Sequence, residues 1–373
     1  MRKLGKLEQA AKVIALCLPP VVMSLIWLAA LSRKKGGAAV VSANRSACSA
    51  YRAANQRRMK LSHADAPPSF QPGKPVGNVY YGACSWTDRT LIDAGTFYPG
   101  NARTAADRLA HYAGQFPIVE VDATYYALPS ERNAHLWVER TPPGFVFNIK
   151  AFGLFTHHPV VVERLPAAVK ELLPAATAEK SRVYLRDIPE KAEKLTWEMQ
   201  AQALAPLVAA GKLGCVLFQF PHWFTARRAH IRYLEQLRDR SDWSLAIEFR
   251  GGGWMTDNYR AKTLALLEKL GLAYVVVDEP QGFRSSTPPV VAATNALALV
   301  RFHGHNAETY EKPNITAAER FRYLYTEEEL KGWVDPIRRL AENADRVHVL
   351  MNNCYGDYGV RNARQLAELL AAG

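Results

Sequence analysis

The chain has 373 residues, 49% hydrophobic and 22% charged, a balance that suits one large or two ordinary globular domains and excludes a wholly disordered protein. Its net charge of +12 is concentrated in residues 1–60, which carry twelve basic residues against one acidic residue, Glu8. The rest of the chain is close to neutral, which argues against a general surface for binding polyanions.

The first 77 residues precede the first strand-like pattern. Residues 13–31 form an apolar run near the minimum length of a membrane-spanning helix, with basic residues on both sides and Pro19 and Pro20 near its middle. Three interpretations stay open for residues 1–60: a basic extension upstream of a start at Met59, a membrane anchor, and a signal peptide. Membrane contact is expected only if this segment is a genuine part of the protein. Residues 61–77 are predicted to be a linker.

The five cysteines are scattered along the chain. They show neither a CxxC pair nor the spacing of a zinc site. They are therefore expected to be small buried side chains in a reducing compartment. Their positions are Cys17, Cys48, Cys84, Cys215 and Cys354.

From residue 78 onward, short apolar runs alternate with helical patterns. The runs are strand-length, rich in β-branched or aromatic residues and nearly continuous in hydrophobicity, which is typical of parallel strands covered on both faces. There are eight of them, at residues 78–86, 118–126, 145–152, 215–221, 244–250, 273–280, 296–304 and 346–353.

Seven helical patterns accompany these runs, at residues 102–114, 130–140, 192–210, 227–240, 257–270, 326–343 and 359–371. Thr326 resembles an N-cap followed by acidic residues, and Gly271 a C-terminal stop. The alternation predicts an α/β fold, a (β/α)8 TIM barrel over residues 78–373. An open doubly wound sheet is the alternative, but no glycine-rich phosphate fingerprint follows the first strand.

Two connections are longer than a simple barrel unit requires. The segment between Phe152 and Cys215 has room for an extra helical excursion between strands 3 and 4. The segment from Gly304 to Tyr325 is a polar, aromatic loop, in which His305 is expected to be an ordinary loop residue. Loops of this length over a barrel mouth often bind ligands or cover the site.

Polar residues gather at the ends of the predicted strands, which in a barrel converge on the C-terminal mouth. Burying an unpaired charge costs several kcal/mol of folding free energy, so these residues predict either an ion-paired network or a site open to solvent. Glu120 and Arg301 lie deeper and are candidates for internal ion pairs, while the residues nearer the mouth are candidates for function. The set is Glu120, Asp122, Lys150, Gln219, Glu248, Arg250, Asp278, Arg301, His303, Asn352 and Asn353.

Metal and nucleophile chemistry are less well supported. Glu248, Asp278 and His303 could supply two carboxylates and an imidazole to zinc or manganese, but the histidines lack ligand spacing within a strand, and no metal or other cofactor is predicted. Ser85 lacks the GxSxG elbow, and Cys84 has no basic partner in the pattern.

Aromatic residues also follow the strand ends. Trp86 and Tyr125 represent this group, which would form either a layer capping the barrel or a stacking surface for a sugar ring or a nucleobase.

Seven motifs in order resemble the domain-of-unknown-function family 72, the YecE-like proteins. They are "GACSW…FYPG", "VEVDATYYALPS", "FVFNIKAF…TH", "LFQFP", "AIEFR…W", "VRFHGH" and "MNNCYGDYGVRNA", across residues 78–371. The resemblance implies a TIM barrel, usually in bacterial cytoplasmic proteins without an established activity, and a distant similarity to sugar isomerases and endonuclease IV. It gives prominence to Glu248 with Arg250, to Arg301 with His303 and Gly304, and to Asn352 with Asn353. Asp122-Ala123 departs from the family's usual asparagine-serine.

The leading hypothesis is an enzyme, a hydrolase or an isomerase, acting on a small anionic or sugar-phosphate-like ligand. Lys150, Arg250 and Arg301 would hold a phosphate or carboxylate. Glu248 would be the general acid or base, with His303 as its proton-transfer partner and Asp278 as a further catalytic residue. The alternatives are a metal-dependent nucleic-acid-processing barrel and a non-catalytic binding module.

Overall fold

The computed structural model describes residues 70–372. The predicted extension at residues 1–60, with its apolar run and the alternative start at Met59, lies outside this range, as do residues 61–69 of the expected linker. Among residues 70–372, no helix is both long and apolar enough to cross a membrane. Residues 70–77 pack on the barrel: Val76 is buried and pairs with Val79, and the rings of Phe70 and Tyr81 lie 6.2 Å apart.

Eight parallel strands form the barrel and confirm the predicted fold. They are β1 (Val79–Ala83), β2 (Ile118–Val121), β3 (Val146–Lys150), β6 (Leu213–Gln219), β7 (Leu245–Glu248), β8 (Ala273–Asp278), β9 (Leu297–Phe302) and β10 (Arg346–Met351). From β2 onward each pairs with the next in this order, and β10 pairs with β1 in parallel, so the first and last strands are neighbours.

The seam between β1 and β2 closes through a few bonds at its upper end. Cys84 and Glu120 form a single parallel bridge, and the Ser85 N–H donates to the Glu120 carbonyl at 2.9 Å. Gly82 permits this approach, because a Cβ there would lie 2.1 Å from the Ile118 carbonyl oxygen. Glycine is therefore required where the two strands come together.

Helices surround the barrel. They are α1 (Arg89–Ala94), α2 (Ala105–Gln115), α3 (Glu131–Glu139), α4 (Ala167–Lys170), α5 (Ala175–Ala178), α6 (Glu190–Ala209), α7 (Arg228–Arg240), α8 (Arg260–Leu270), α9 (Ala317–Arg320), α10 (Glu327–Asn343) and α11 (Tyr358–Ala371). All seven predicted helices are present. Thr326 caps α10 in a reciprocal capping box with Glu329, and Gly271 ends α8 in the left-handed conformation at φ +63°.

Two apolar layers follow from the two-residue alternation of the strands. One face of each strand packs against the helices. The other face fills the barrel interior, and it holds small or branched side chains that include Cys84, Cys215, Leu217, Ala246, Val275, Leu299 and Leu350. The polar residues that interrupt this inner series lie at the C-terminal ends and, for Asn148 and His348, at the opposite end.

The extra excursion lies between β3 and β6, as predicted, but it is not purely helical. It contains α4, α5 and a two-stranded antiparallel sheet of β4 (Val160–Val161) and β5 (Arg182–Val183). The second barrel strand is shorter than the predicted 118–126, because the chain enters a 3-10 turn at Asp122–Tyr125. Asp122 therefore does not continue the alternation of Glu120.

Candidate functional site

Arg301 lies at the centre of the barrel with no solvent exposure. Its guanidinium donates to both carboxylate oxygens of Glu120 and to Oε2 of Glu248, so it joins three strands. Its Nη2 also lies 3.6 Å from Sγ of Cys84. A buried charge of this kind persists only when partners compensate its lost hydration, which these two carboxylates do.

Glu248 is fully buried and surrounded by donors. Besides Arg301, it accepts from Gln219 at 2.6 Å, from Nε of Arg250 at 3.0 Å and from Nε2 of His303 at 3.1 Å. Burial alone would raise the pKa of Glu248, but Arg301, Arg250 and His303 hold it well below the usual value. Because its carboxylate is fully buried and both oxygens are already hydrogen-bonded, Glu248 has no free oxygen to offer a ligand; its predicted acid–base role stays a prediction that this geometry does not favour.

His303 is held neutral. Burial, reinforced by Arg250, lowers its pKa to about 3. Nδ1 lies 2.8 Å from the Asn352 amide, and Nε2 lies 3.1 Å from Oε1 of Glu248 and 3.2 Å from Nη2 of Arg250. His303 and Asn352 thus meet inside the barrel as predicted, but the imidazole has no exposed surface with which to reach a ligand.

Glu279 belongs to the same network and was missed in the sequence. It receives Nη1 of Arg250 and, at 2.6 Å, the hydroxyl of Tyr310 from the long loop after β9. Burial raises the pKa of Glu279, while Arg250 opposes the shift. The residues of β8 that face the barrel interior are Ala273, Val275 and Val277. The next residue on that face, two positions further along, is Glu279 and not the predicted Asp278.

Asp278 lies on the other face of its strand, away from Glu248. Its Oδ2 is 3.0 Å from Nε2 of His305, whose Nδ1 is 3.2 Å from Glu329 at the start of α10. The hydrogen bond to Asp278 and the charges of both carboxylates raise the pKa of His305 above its usual value. His305 is therefore a paired residue at the rim rather than an ordinary loop residue.

Asp122 and Lys150 form the accessible part of the mouth. Lys150 Nζ lies 3.4 Å from Oδ1 of Asp122 and 5.4 Å from the ring centre of Tyr125. The Asp122 side chain is 29% exposed and that of Lys150 15%. Asp122 also lies beside Glu120, since their carboxylate oxygens and Sγ of Cys84 are all within 4.8 Å of one another.

The two carboxyl groups of the Glu120–Asp122 pair have different pKa values. Burial raises the pKa of Glu120 to about 7, with Asp122 adding to the shift and Arg301 opposing it. Burial alone would raise the pKa of Asp122, but Lys150 and Arg301 lower it below its usual value. One carboxyl group of the pair thus exchanges a proton near neutral pH.

Two predicted ligand-binding residues lie outside the mouth. The Trp86 ring packs in the layer between strands and helices, 5.9 Å from the ring of Trp137. Asn353 donates to the Tyr323 carbonyl and to Asn362, which ties the chain after β10 to α11. Their predicted role in ligand binding stays a prediction.

Glu120, Asp122 and Cys84 form the one group with metal-ligand geometry among residues 70–372. Its chemistry fits a divalent cation poorly. Arg301 already occupies both oxygens of Glu120, Lys150 neutralises Asp122, and burial raises the pKa of the Cys84 thiol well above its usual value. The charges and hydrogen bonds around this group therefore favour binding of a proton over binding of a metal ion.

The raised pKa of Glu120 predicts a specific pH dependence. Between about pH 4.5 and about 7, Glu120 is protonated in the folded protein but ionised in the unfolded chain. Its contribution to the free energy of unfolding is therefore fully present below this range and is lost as the pH rises through it. Relative to Glu120→Gln, we expect the unfolding free energy of the wild type to fall by roughly 3 kcal/mol across this interval. Urea titrations at a series of pH values measure it, with the exposed Glu139→Gln as the control. Parallel curves for wild type and Glu120→Gln would contradict the assignment.

Comparison with known proteins agrees with this architecture. A family model described as "Protein of unknown function DUF72" matches residues 80–373. UPF0759 protein YunF of Bacillus subtilis is 32% identical over 298 residues, which cover 78% of this chain and 94% of that protein. The crystal structure of a DUF72 family protein from Thermotoga maritima is 30% identical, with a TM-score of 0.61 over 78% of this chain and 98% of the other. A second, from Enterococcus faecalis, has a TM-score of 0.63 at 24% identity, covering 79% and 96%. The chain therefore belongs to the DUF72 family.

Proposed function

We propose that this protein is an enzyme that binds a small anionic or sugar-phosphate-like ligand at the C-terminal mouth and moves a proton on it. The observation that carries the proposal is the Glu120–Asp122 pair, in which a carboxyl group with a pKa of about 7 is joined to a partly exposed carboxylate. Efficient acid–base catalysts titrate near the working pH, and pairs of carboxyl groups with separated pKa values are a recurrent means of achieving this.

Lys150 is the residue proposed to receive the anionic group of the ligand. Arg301 and Arg250, the other two cations predicted for this task, are bonded to Glu120, Glu248 and Glu279. Among residues 70–372 Lys150 makes a single ion pair, at 3.4 Å, and its ammonium group retains donors for a phosphate or carboxylate. Tyr125 would flank the bound ligand from the side of Lys150.

The proposed reaction is proton transfer at a carbon next to a carbonyl group, as in an isomerase. The Asp122 carboxylate takes the C–H proton, and the electron pair of that bond becomes part of an enediolate. The hydroxyl proton of the ligand moves from one enediolate oxygen to the other, and return of the first proton from Asp122 to the neighbouring carbon completes the isomerisation; Glu120 exchanges a proton with Asp122 from its buried position. Lys150 stabilises the negative charge that develops on the ligand oxygen.

A small ligand is proposed in preference to a nucleic acid because the mouth lacks an excess of positive charge. Three cations, Lys150, Arg250 and Arg301, face the four carboxyl groups of Glu120, Asp122, Glu248 and Glu279. Proteins that hold a nucleic-acid backbone present uncompensated lysine and arginine. The arrangement instead suits a ligand with one anionic group and several hydroxyls.

The test is deuterium uptake from D2O into a panel of aldose phosphates, ketose phosphates and sugar acids, followed by proton NMR. We expect one member or a chemical class within the panel to exchange its C–H proton in the presence of the full chain. Lys150→Met should raise the KM for that compound more than it changes kcat, because it removes binding to a group present in both ground and transition states. Absence of exchange across the panel, or equal exchange with Lys150→Met, would reject the proposal. A ligand that binds unchanged would indicate a non-catalytic binding module.

A further inference from the structure

A second cavity lies beside the barrel mouth, between the excursion and the loop that follows β6. It has a volume of about 400 Å³, in the range of small-molecule sites. His157 closes it from the 3-10 turn after β3, Tyr184 and Arg186 from the excursion, and Trp223 and Arg227 from the β6–α7 loop. None of these residues belongs to the Glu120–Asp122–Lys150 site.

The two arginines of this cavity make no ion pair with a carboxylate within the described part of the chain. Arg186 stacks on the ring of Tyr184 with its guanidinium carbon 4.4 Å from the ring centre. Nε and Nη2 of Arg227 lie 3.2 and 3.0 Å from Nε2 of His230. Because Nδ1 of His230 is 2.8 Å from the Thr225 carbonyl and donates to it, Nε2 is the acceptor that orients Arg227.

The carboxylates that line the cavity do not cancel this charge. Glu193 is already paired with Arg240, at 2.7 Å. Glu190 is exposed at the start of α6 and makes no ion pair within the described residues. Two guanidinium groups against one exposed carboxylate leave the cavity positive. It would therefore attract an anion rather than a cation.

His157 supplies a third nitrogen. Its Nε2 is buried and has no hydrogen-bond partner in residues 70–372, although buried polar atoms are nearly always bonded. The residue adopts a left-handed conformation, with φ at +61°, at the C-cap of the 3-10 turn Gly153–Thr156. Burial lowers its pKa to about 4, and His230, Arg227 and Arg186 add to the shift.

The first turn of α7 adds to the same electrostatic field. The helix begins at Arg228, between the lining residues Arg227 and His230, and no side chain caps it. A helix N-terminus presents unpaired N–H groups and a partial positive charge. Alone it would mean little, but here it accompanies two unpaired arginines and an unsatisfied imidazole around one cavity.

We propose that this cavity binds a phosphate monoester of a small organic molecule, at a site separate from the barrel mouth. Arg186 and Arg227 hold the phosphate oxygens, for which the planar guanidinium is well matched, and the ring of His157 lies beside them in the cavity wall. The organic part lies against Trp223, which is 43% exposed, and Glu190 at the rim accepts from a hydroxyl group.

Isothermal titration calorimetry of the full chain tests the site with three probes: inorganic phosphate, ribose 5-phosphate and adenosine monophosphate. We expect the two esters to bind more tightly than inorganic phosphate. Arg186→Met and Arg227→Met should each weaken the binding roughly tenfold to hundredfold, as the loss of a charged hydrogen-bonding group does. Arg228→Met removes the same charge from an exposed position that does not line the cavity, and it should change affinity by less than about twofold.

A second measurement locates the ligand. Saturation with the tighter ester should raise the pKa of His157 from about 4, measured by the pH dependence of its imidazole NMR signals, because the phosphate offsets the two arginines. Lys150→Met should leave the binding unchanged, which separates this site from the proposed reaction at the mouth. The proposal is overturned if no probe binds at millimolar concentration, if Arg186→Met and Arg227→Met bind as tightly as Arg228→Met, or if Lys150→Met abolishes binding.

Discussion

Replacing Arg301 with methionine is expected to lower the free energy of unfolding by about 3–5 kcal/mol. The substitution keeps most of the side-chain volume but leaves Glu120 and Glu248, both fully buried, without the cation that lies between them. The cost arises from the unpaired charges rather than from lost packing. Urea unfolding followed by circular dichroism measures the loss.

Two variants separate charge from general damage. Arg339→Met removes an exposed arginine of α10 and should change stability by no more than about 0.5 kcal/mol. Adding Glu120→Gln and Glu248→Gln to Arg301→Met should restore most of the lost stability, because it removes the uncompensated carboxylates. If Arg301→Met is no worse than Arg339→Met, or if the triple variant recovers nothing, the buried network does not hold the barrel interior together.

Changing Asp122 to asparagine is expected to reduce turnover of the compound identified by deuterium exchange by about 10²–10⁴-fold. The amide has the shape of the carboxylate but cannot accept the proton. Stability should change little, because Asp122 and Lys150 are partly exposed and such ion pairs contribute at most about 1 kcal/mol. The exposed Asp239→Asn variant on α7 is the matched control.

The pH profile distinguishes catalysis by the carboxyl pair from a positioning role of Asp122. Wild-type kcat/KM should show an inflection near pH 7, where Glu120 titrates, and Asp122→Asn should lose it. An Asp122→Asn enzyme that keeps wild-type turnover, or a residual activity with the same inflection, would assign the proton transfer to another group.

The barrel could be predicted from the sequence because its strands are buried on both faces. Parallel strands of this kind give continuous apolar runs, and each of the eight runs overlaps one strand of the sheet, with its ends shifted by a few residues. The central ion pairs followed from the same regularity: Glu120 and Arg301 are predicted to be candidates for internal ion pairs, and Arg301 binds both Glu120 and Glu248, although Glu248 is predicted to lie nearer the mouth.

The site was less predictable wherever the two-residue alternation breaks. Ser85 has a φ of +94°, so the next residue, Trp86, turns outward rather than into the mouth. Asp122 enters a 3-10 turn directly after β2. For Asp278 the alternation holds, but the sequence does not reveal which face of the strand is inside. The pairing of His305 with Glu329 joins a loop to a helix, and no local pattern encodes such a contact.

The pairing of β1 with β10 has a consequence for how the chain folds. These strands lie side by side although Val79 and its partner Val347 are at opposite ends of the barrel sequence. Pairings between distant segments form slowly, because the entropy of closing a long loop is lost before the contacts between the two segments stabilise the pairing. Arg301 and Glu120, 181 residues apart, lose contact with water only when the circle is complete. During synthesis on a ribosome, residues 79–345 would therefore remain incompletely folded until β10 emerged. Their charged groups would still be hydrated, and the sheet would be open along one edge.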